Sequence, residues 1–282
     1  MAAAALLAGG LATASAAPAA AAQPCTGAAS PRVQHVVVIL MENKDETSVI
    51  GSGQAPYLNQ LARACAMAAD YHGVAHPSLP NYLALTGGST FGVTDDKPPS
   101  VHRLGGASIF SQLGGDWRSY QESMAVPCQK YGKGSYAPKH NPAAYYTRLT
   151  DCAANDVPLP AHPTFDAAFT FVTPNLAHDM HNGSVAQGDA WLSTFVPTVL
   201  ASPQYQAGTL ALFITWDEND GPNHAAGNRV PCIAVAPSVR PSTVLSARYD
   251  HYALLATWEE LLGLPRLGQA AGAPVLSGPL AL

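Results

Sequence analysis

Four short stretches of this 282-residue chain carry side chains that could do chemistry together. Glu42-Asn43 and Asp217-Glu218-Asn219-Asp220 offer carboxylate and amide oxygens, which suit a hard or borderline divalent cation. Asn175, His178, Asp179 and His181 add imidazole to the donor set. In His76-Pro77-Ser78-Leu79-Pro80-Asn81-Tyr82, a hydroxyl stands at the start of a short helical pattern bracketed by prolines. A helix N-terminus attracts anions because its free amides point outwards. A serine there, beside a bound cation, could be ionised and attack phosphorus. Taken singly, each stretch has a plainer reading. The acidic tetrad reads equally as a solvated turn and Glu42-Asn43 as a turn. His178 and His181 could be two surface histidines, and Ser78 an N-cap.

What links the stretches is their place relative to the expected strands. Val33–Leu40 is a nearly continuous β-branched run, the pattern of a strand buried on both faces. Leu210–Trp216 is the next strongest strand and Phe169–Val172 a third. Each is followed at its carboxyl end by one of the donor stretches. Pro56 opens a helical pattern with Leu58, Leu61, Ala62, Cys65 and Ala68 on one face. Further helices are expected at Ser78–Leu85, Gly188–Leu200 and Tyr249–Leu262, with weaker strands at Trp117–Tyr120 and Ile233–Ala236. Alternating strands and helices imply an α/β fold, an α/β/α sandwich with a mostly parallel central sheet. Ligands bind such sheets beyond the carboxyl ends of the strands. The length suits one domain over 25–282. A loop-rich insertion near 125–165 brings Tyr131, Tyr136, Lys139, His140, Tyr145 and Tyr146 as candidates for shaping substrate choice.

Lys and Arg total 14 against 19 Asp and Glu, a net charge of −5, and there is no basic run. That balance argues against gripping nucleic acid or anionic lipid through bulk charge. Residues 1–31 carry no charge. The apolar stretch Ala2–Ala12 is too short to span a bilayer, and small-residue sites follow it at Ala14-Ser15-Ala16 and Ala20-Ala21-Ala22. Residues 1–24 therefore read as a secretory signal peptide, although no Lys or Arg precedes the apolar run; the plainer reading is a low-complexity Ala tail. An exported chain with no membrane anchor is expected, and its compartment permits disulfides. Cys128 is expected to pair with Cys152 across a Gly/Tyr/Pro-rich loop, and Cys25 with Cys65, leaving Cys232 free in a strand. Nothing in the sequence sets the oligomeric state.

Val36–Asn43 (VVVILMEN), His76–Tyr82 (HPSLPNY), Asn175–His181 (NLAHDMH) and Thr215–Glu218 (TWDE) resemble the phosphoesterase family of secreted acid phosphatases and phospholipases C, within the alkaline-phosphatase superfamily. Ser78-Leu-Pro-Asn81 also resembles the Thr-Phe-Pro-Asn signature of nucleotide pyrophosphatase/phosphodiesterases, whose threonine is the nucleophile. The resemblance runs from about Val33 to about Leu262. It implies an alkaline-phosphatase-like fold, Ser78 as nucleophile, and one divalent metal ion (calcium, manganese or zinc) held by Glu42, Asn43, Ser78, Asp217 and Glu218. It further implies that Asn81 hydrogen-bonds a phosphate oxygen, and that His178, Asp179 and His181 line the leaving-group side. His251 resembles the late histidine of the superfamily, and one of His178, His181 and His251 would protonate the leaving oxygen. Two departures point to one metal rather than two. Asn219-Asp220-Gly221 stands where many relatives have His-Gly-Gly, and Asn175 stands where the second site expects Asp, with His224 as a possible substitute for a missing histidine. The expected substrate is a small phosphate monoester, cleaved through a phosphoserine. If a protonated histidine serves the leaving group, acidic to neutral pH is favoured, because unperturbed imidazole titrates near ~6.5. A phosphodiesterase or phospholipase C using the same site, and a non-catalytic secreted binding module, are the alternatives.

Overall fold

The computed structural model describes Met1, residues 23–220 and residues 227–282. The expected signal peptide and His224 lie outside the described residues, apart from Met1 and residues 23–24. Eight strands form one sheet: β1 (His35–Met41), β2 (Ala66–His72), β3 (Trp117–Gln121), β4 (Asp156–Pro158), β5 (Phe169–Thr173), β6 (Leu210–Trp216), β7 (Cys232–Val235) and β8 (Thr243–Asp250), in the order β4-β3-β5-β1-β6-β7-β2-β8. The sequence HVVVILM of β1 is buried from Val36 onwards, and every residue of β5 and β6 is buried. Burial on both faces requires helices above and below. Helix Pro56–Ala64 packs with helix Val185–Leu200, and helix Ser78–Gly87 packs with helix His251–Leu262. The α/β/α architecture expected from the alternation is the one found.

The strand directions decide where the chemistry goes. β1 runs parallel to β5 and β6, and Met41 is in register with Trp216. Glu42 and Asp217 therefore leave the sheet side by side. β7 is antiparallel to both β6 and β2, so β2 points the same way as β6. The loop after β2 then delivers Ser78 to the edge where Glu42 and Asp217 emerge. Gly73 opens that loop because a Cβ there would lie 2.5 Å from the Asp217 carbonyl oxygen.

β2 and β8 were not anticipated. The helical face read from Pro56 to Ala68 ends at Ala64, and Ala66–His72 is a strand. Its sequence, AMAADYH, has little β-propensity, so pairing with β7 and β8 overrides local preference. β8 is an edge strand with half of its residues exposed, and it takes Tyr249 and Asp250 from the expected helix, which begins at His251. Disulfides join Cys25 to Cys65 and Cys128 to Cys152, and Cys232 is a buried free thiol.

The insertion is anchored to the sheet. β4 pairs parallel with β3. Asn141 Nδ2 donates to Asp156 Oδ2 at 2.8 Å and to the Tyr136 hydroxyl at 3.0 Å, and Thr173 Oγ1 donates to the His140 carbonyl at 3.1 Å. These bonds fix Lys139 and His140 over the carboxyl edge. Burial pushes the Asp156 carboxyl up to about 7, although Asn141 and Ser119 act to lower it. An unfolded aspartate ionises near ~3.9. Between those two values the folded chain holds the extra proton, so this group's contribution to stability falls as pH rises through the window. Melting curves of Asp156→Asn and the parent should therefore diverge in the variant's favour between pH 4.5 and pH 8; a gap that does not change with pH contradicts this.

Candidate active site

Ser78 begins a helix in which every residue is buried, so its hydroxyl is held rather than free. Its Oγ lies 3.1 Å from Glu42 Oε2 and 3.2 Å from Glu218 Oε1. Lys139 Nζ approaches the same oxygen at 3.4 Å. The Asn43 amide donates to Asp217 Oδ1 at 3.2 Å, with Asn43 at φ 45, a left-handed geometry that asparagine tolerates. Glu42, Asn43, Ser78, Asp217 and Glu218 thus converge from β1, β6 and the loop after β2.

Crowding carboxylates in a dry pocket disfavours their ionised forms. Burial, reinforced by Asp217 and Asp179, drives Glu42 well above the usual range. Burial likewise pushes Asp217 up to about 7, and burial with the Asp217 charge pushes Glu218 up to about 8. Asn43 Oδ1 and Asp217 Oδ2 are buried with no hydrogen-bond partner. Orphaned hard oxygens beside clustered carboxylates fit a divalent cation. His76 Nδ1 contacts Glu218 Oε2, and the Tyr82 hydroxyl donates to Glu42 Oε1 in a short hydrogen bond.

A second group, Glu42, His140 and His181, also has ligand atoms close enough together for an ion. It offers one carboxylate and two imidazoles where the first group offers three carboxylates, a poorer donor set for a hard cation. Lys139 Nζ lies 3.3 Å from His181 Nε2. His140 lies flat on Tyr82 and contacts both Glu42 and Asp179 at 3.2 Å. The group Cys128, Cys152 and Asp156 has its sulfurs in a disulfide and offers no thiolate.

Three of the expected site residues take other positions. His251 is fully buried, and its Nε2 lies 2.6 Å from the Asp217 carbonyl oxygen. A carbonyl only accepts, so Nε2 carries the hydrogen and Nδ1 accepts from the Tyr71 hydroxyl at 2.8 Å. Burial pulls this imidazole down to about 4, and it holds the backbone of Asp217 instead of facing a leaving group. His178 turns outward, pairing with Glu122 at 2.9 Å and stacking on Trp191. Asn81 uses its amide locally. Its Oδ1 accepts from the Val74 and Ala75 amides at 2.9 Å, and its Nδ2 donates to the Ala75 and Pro77 carbonyls at 2.9 and 3.3 Å. Its side chain clamps the loop before Ser78, with both Nδ2 hydrogens engaged there. Of the three expected histidines only His181 reaches the pocket. Asp179, which accepts the His181 amide at 2.7 Å, is buried and pushed up to about 7 by that burial.

Residues given no role here from the sequence are His76, Tyr82 and Asp96, together with Lys139 and His140, read only as insertion candidates for substrate choice. His76 and Tyr82 sit inside the Ser78 motif, so adjacency was an available signal. Asp96, Lys139 and His140 follow no strand end, and only tertiary folding brings them in.

The family model described as the Phosphoesterase family matches residues 51–265. A phosphatidylinositol-3-phosphatase from Mycobacterium tuberculosis is 35% identical, over 88% of this chain and 83% of its own length. A phosphate-repressible acid phosphatase from Penicillium chrysogenum is 29% identical, over 75% of this chain and 55% of its own, so the chain spans about half of that relative. The solved structure of an alkaline phosphatase superfamily protein from Vibrio parahaemolyticus superposes with a TM-score of 0.59 at 12% identity, covering 89% of this chain and 72% of that one. Asn81→Ala should cost about 2 kcal/mol in urea unfolding, because four loop hydrogen bonds are lost; unchanged stability contradicts the clamp.

Proposed function

This chain belongs to the phosphoesterase family, and on that basis we propose that it hydrolyses small phosphate monoesters through a phosphoserine formed at Ser78. The observation that carries the reading is the Ser78 oxygen lying 3.1 Å and 3.2 Å from two buried carboxylates at the carboxyl edge of the sheet. The names of the relatives, a phosphatidylinositol phosphatase and acid phosphatases, both denote monoester cleavage. Export is part of the proposal, supported by the two disulfides. Among the described residues no helix is long and apolar enough to cross a membrane.

Glu42, Asn43, Ser78, Asp217 and Glu218 would hold one divalent cation, which when bound lowers the pKa of a serine hydroxyl and offsets phosphoryl charge. The chain's own residues do the rest. Ser78 Oγ forms a bond to phosphorus as the bond to the leaving oxygen breaks, and the Ser78 proton passes to a carboxylate already in contact with it. His181 lies at the pocket wall, and once Lys139 leaves its Nε2 for substrate, the protonated imidazole gives the departing alkoxide a proton from that nitrogen. Water then attacks the phosphoserine, inorganic phosphate leaves, and Ser78 regains its hydrogen. His251 and the Asn43 amide keep Asp217 in place throughout.

A panel of p-nitrophenyl phosphate, its bis ester and phosphatidylcholine, run with chelator and then with calcium, manganese or zinc restored, tests the reading. Monoester turnover that disappears with chelator and returns with one cation is expected; diester or phospholipid as the better substrate would favour the alternatives. Ser78→Ala should abolish turnover without shifting the melting temperature, and near-parental activity in that variant would refute the nucleophile. Asp217→Asn should retain less metal by elemental analysis than the parent, and equal metal content would remove Asp217 from the cation site.

A further inference from the structure

Lys139 is tied at three points. Its Nζ donates to Asp96 Oδ2 at 2.9 Å and to Ser78 Oγ at 3.4 Å, and lies 3.3 Å from His181 Nε2. An ammonium has three N–H donors and no acceptor, so the set is complete. His181 Nδ1 lies 2.7 Å from Asn182 Oδ1, which only accepts, and this leaves Nε2 as the acceptor for Lys139. The 2.9 Å ion pair with Asp96 holds the group as an ammonium.

Asp96 is the unusual partner. Its second oxygen, Oδ1, accepts the backbone N–H of Leu79 at 2.9 Å. One carboxylate thus bridges the two donors that flank the Ser78 hydroxyl, an ammonium and a first-turn helix amide. Those are the donors a phosphoryl group at Ser78 would need for its non-bridging oxygens. The Asp96 side chain is 28% exposed, so solvent and ligand can reach it.

We propose that Lys139 is a catalytic residue whose ammonium grips a phosphoryl oxygen at Ser78, and that Asp96 is an internal anion which substrate phosphate displaces. This rests on the reading of Ser78 as the phosphoryl acceptor. It also narrows the substrate. A monoester dianion carries one more charge than a diester, and the fixed Lys139 charge rewards that difference most in a dry pocket. The preference for monoesters then comes from a residue of the insertion, outside the carboxylate cluster.

Lys139→Met, Lys139→Arg and Asp96→Asn are compared with the parent for kcat/KM on p-nitrophenyl phosphate and its bis ester, and for competitive inhibition by inorganic phosphate. Lys139→Met should lose about 100-fold on the monoester and about tenfold or less on the diester, in line with loss of one preorganised donor, and Lys139→Arg should recover part of the monoester loss. Inorganic phosphate should inhibit Lys139→Met more weakly than the parent and Asp96→Asn more strongly. An unchanged monoester-to-diester ratio in Lys139→Met overturns the inference even when Ser78→Ala has already established the nucleophile. Parent protein that cleaves neither ester with any cation overturns both readings. Should Lys139→Met fail to fold, Asp96→Asn decides: tighter phosphate inhibition supports the inference, and equal or weaker inhibition overturns it.

Discussion

Negative charge packed into a dry pocket is the constraint on which this structure turns. Glu42, Asp217 and Glu218 sit within a few ångströms of one serine oxygen, and burial raises the pKa of all three. Such a cluster costs folding free energy unless positive charge or protons balance it. The surroundings respond to that need. Tyr82 and His140 attend Glu42, His76 attends Glu218, and the Asn43 amide attends Asp217. Orphaned oxygens remain, among them Asn43 Oδ1 and Asp217 Oδ2, where a cation fits. The arrangement is unfavourable for stability, as expected where a fold sacrifices local consistency for a functional site.

The parallel strands make the crowding possible. β1 and β6 are adjacent and in register, so their carboxyl ends cannot avoid placing Glu42 beside Asp217. The reversal at β7 lets β2 return in the same direction and bring Ser78 to that edge. The insertion closes the pocket from the other side, pinned by Asn141, Asp156 and the Cys128–Cys152 bridge. Lys139 then faces carboxylates from three directions: Asp96 directly, and Glu42 and Asp217 through space.

The strand-end motifs were readable because their strands are aliphatic runs and parallel sheets bind ligands at one edge. Glu42, Asn43, Asp217 and Glu218 needed nothing more than that rule to be grouped. The route of Ser78 to the same edge was not readable, because β2 is an alanine-rich segment whose strand state comes from its neighbours. Side-chain direction was equally hidden. Asn81, His178 and His251 occupy motif positions, yet each is claimed by a partner distant in sequence or by a local loop: Ala75 and Pro77, Glu122, and Tyr71. Lys139 and Asp96 follow no strand, and periodicity says nothing about where a long loop will lie.

Two groups of side chains around Glu42 compete in principle for a metal ion, and the oxygen-rich one suits a hard cation better. Crystals grown with manganese and measured at its absorption edge distinguish them. A single anomalous peak within bonding distance of Ser78 Oγ, Glu42, Asp217 and Glu218 is the predicted result. A peak between Glu42, His140 and His181, or no peak near Ser78, would contradict it.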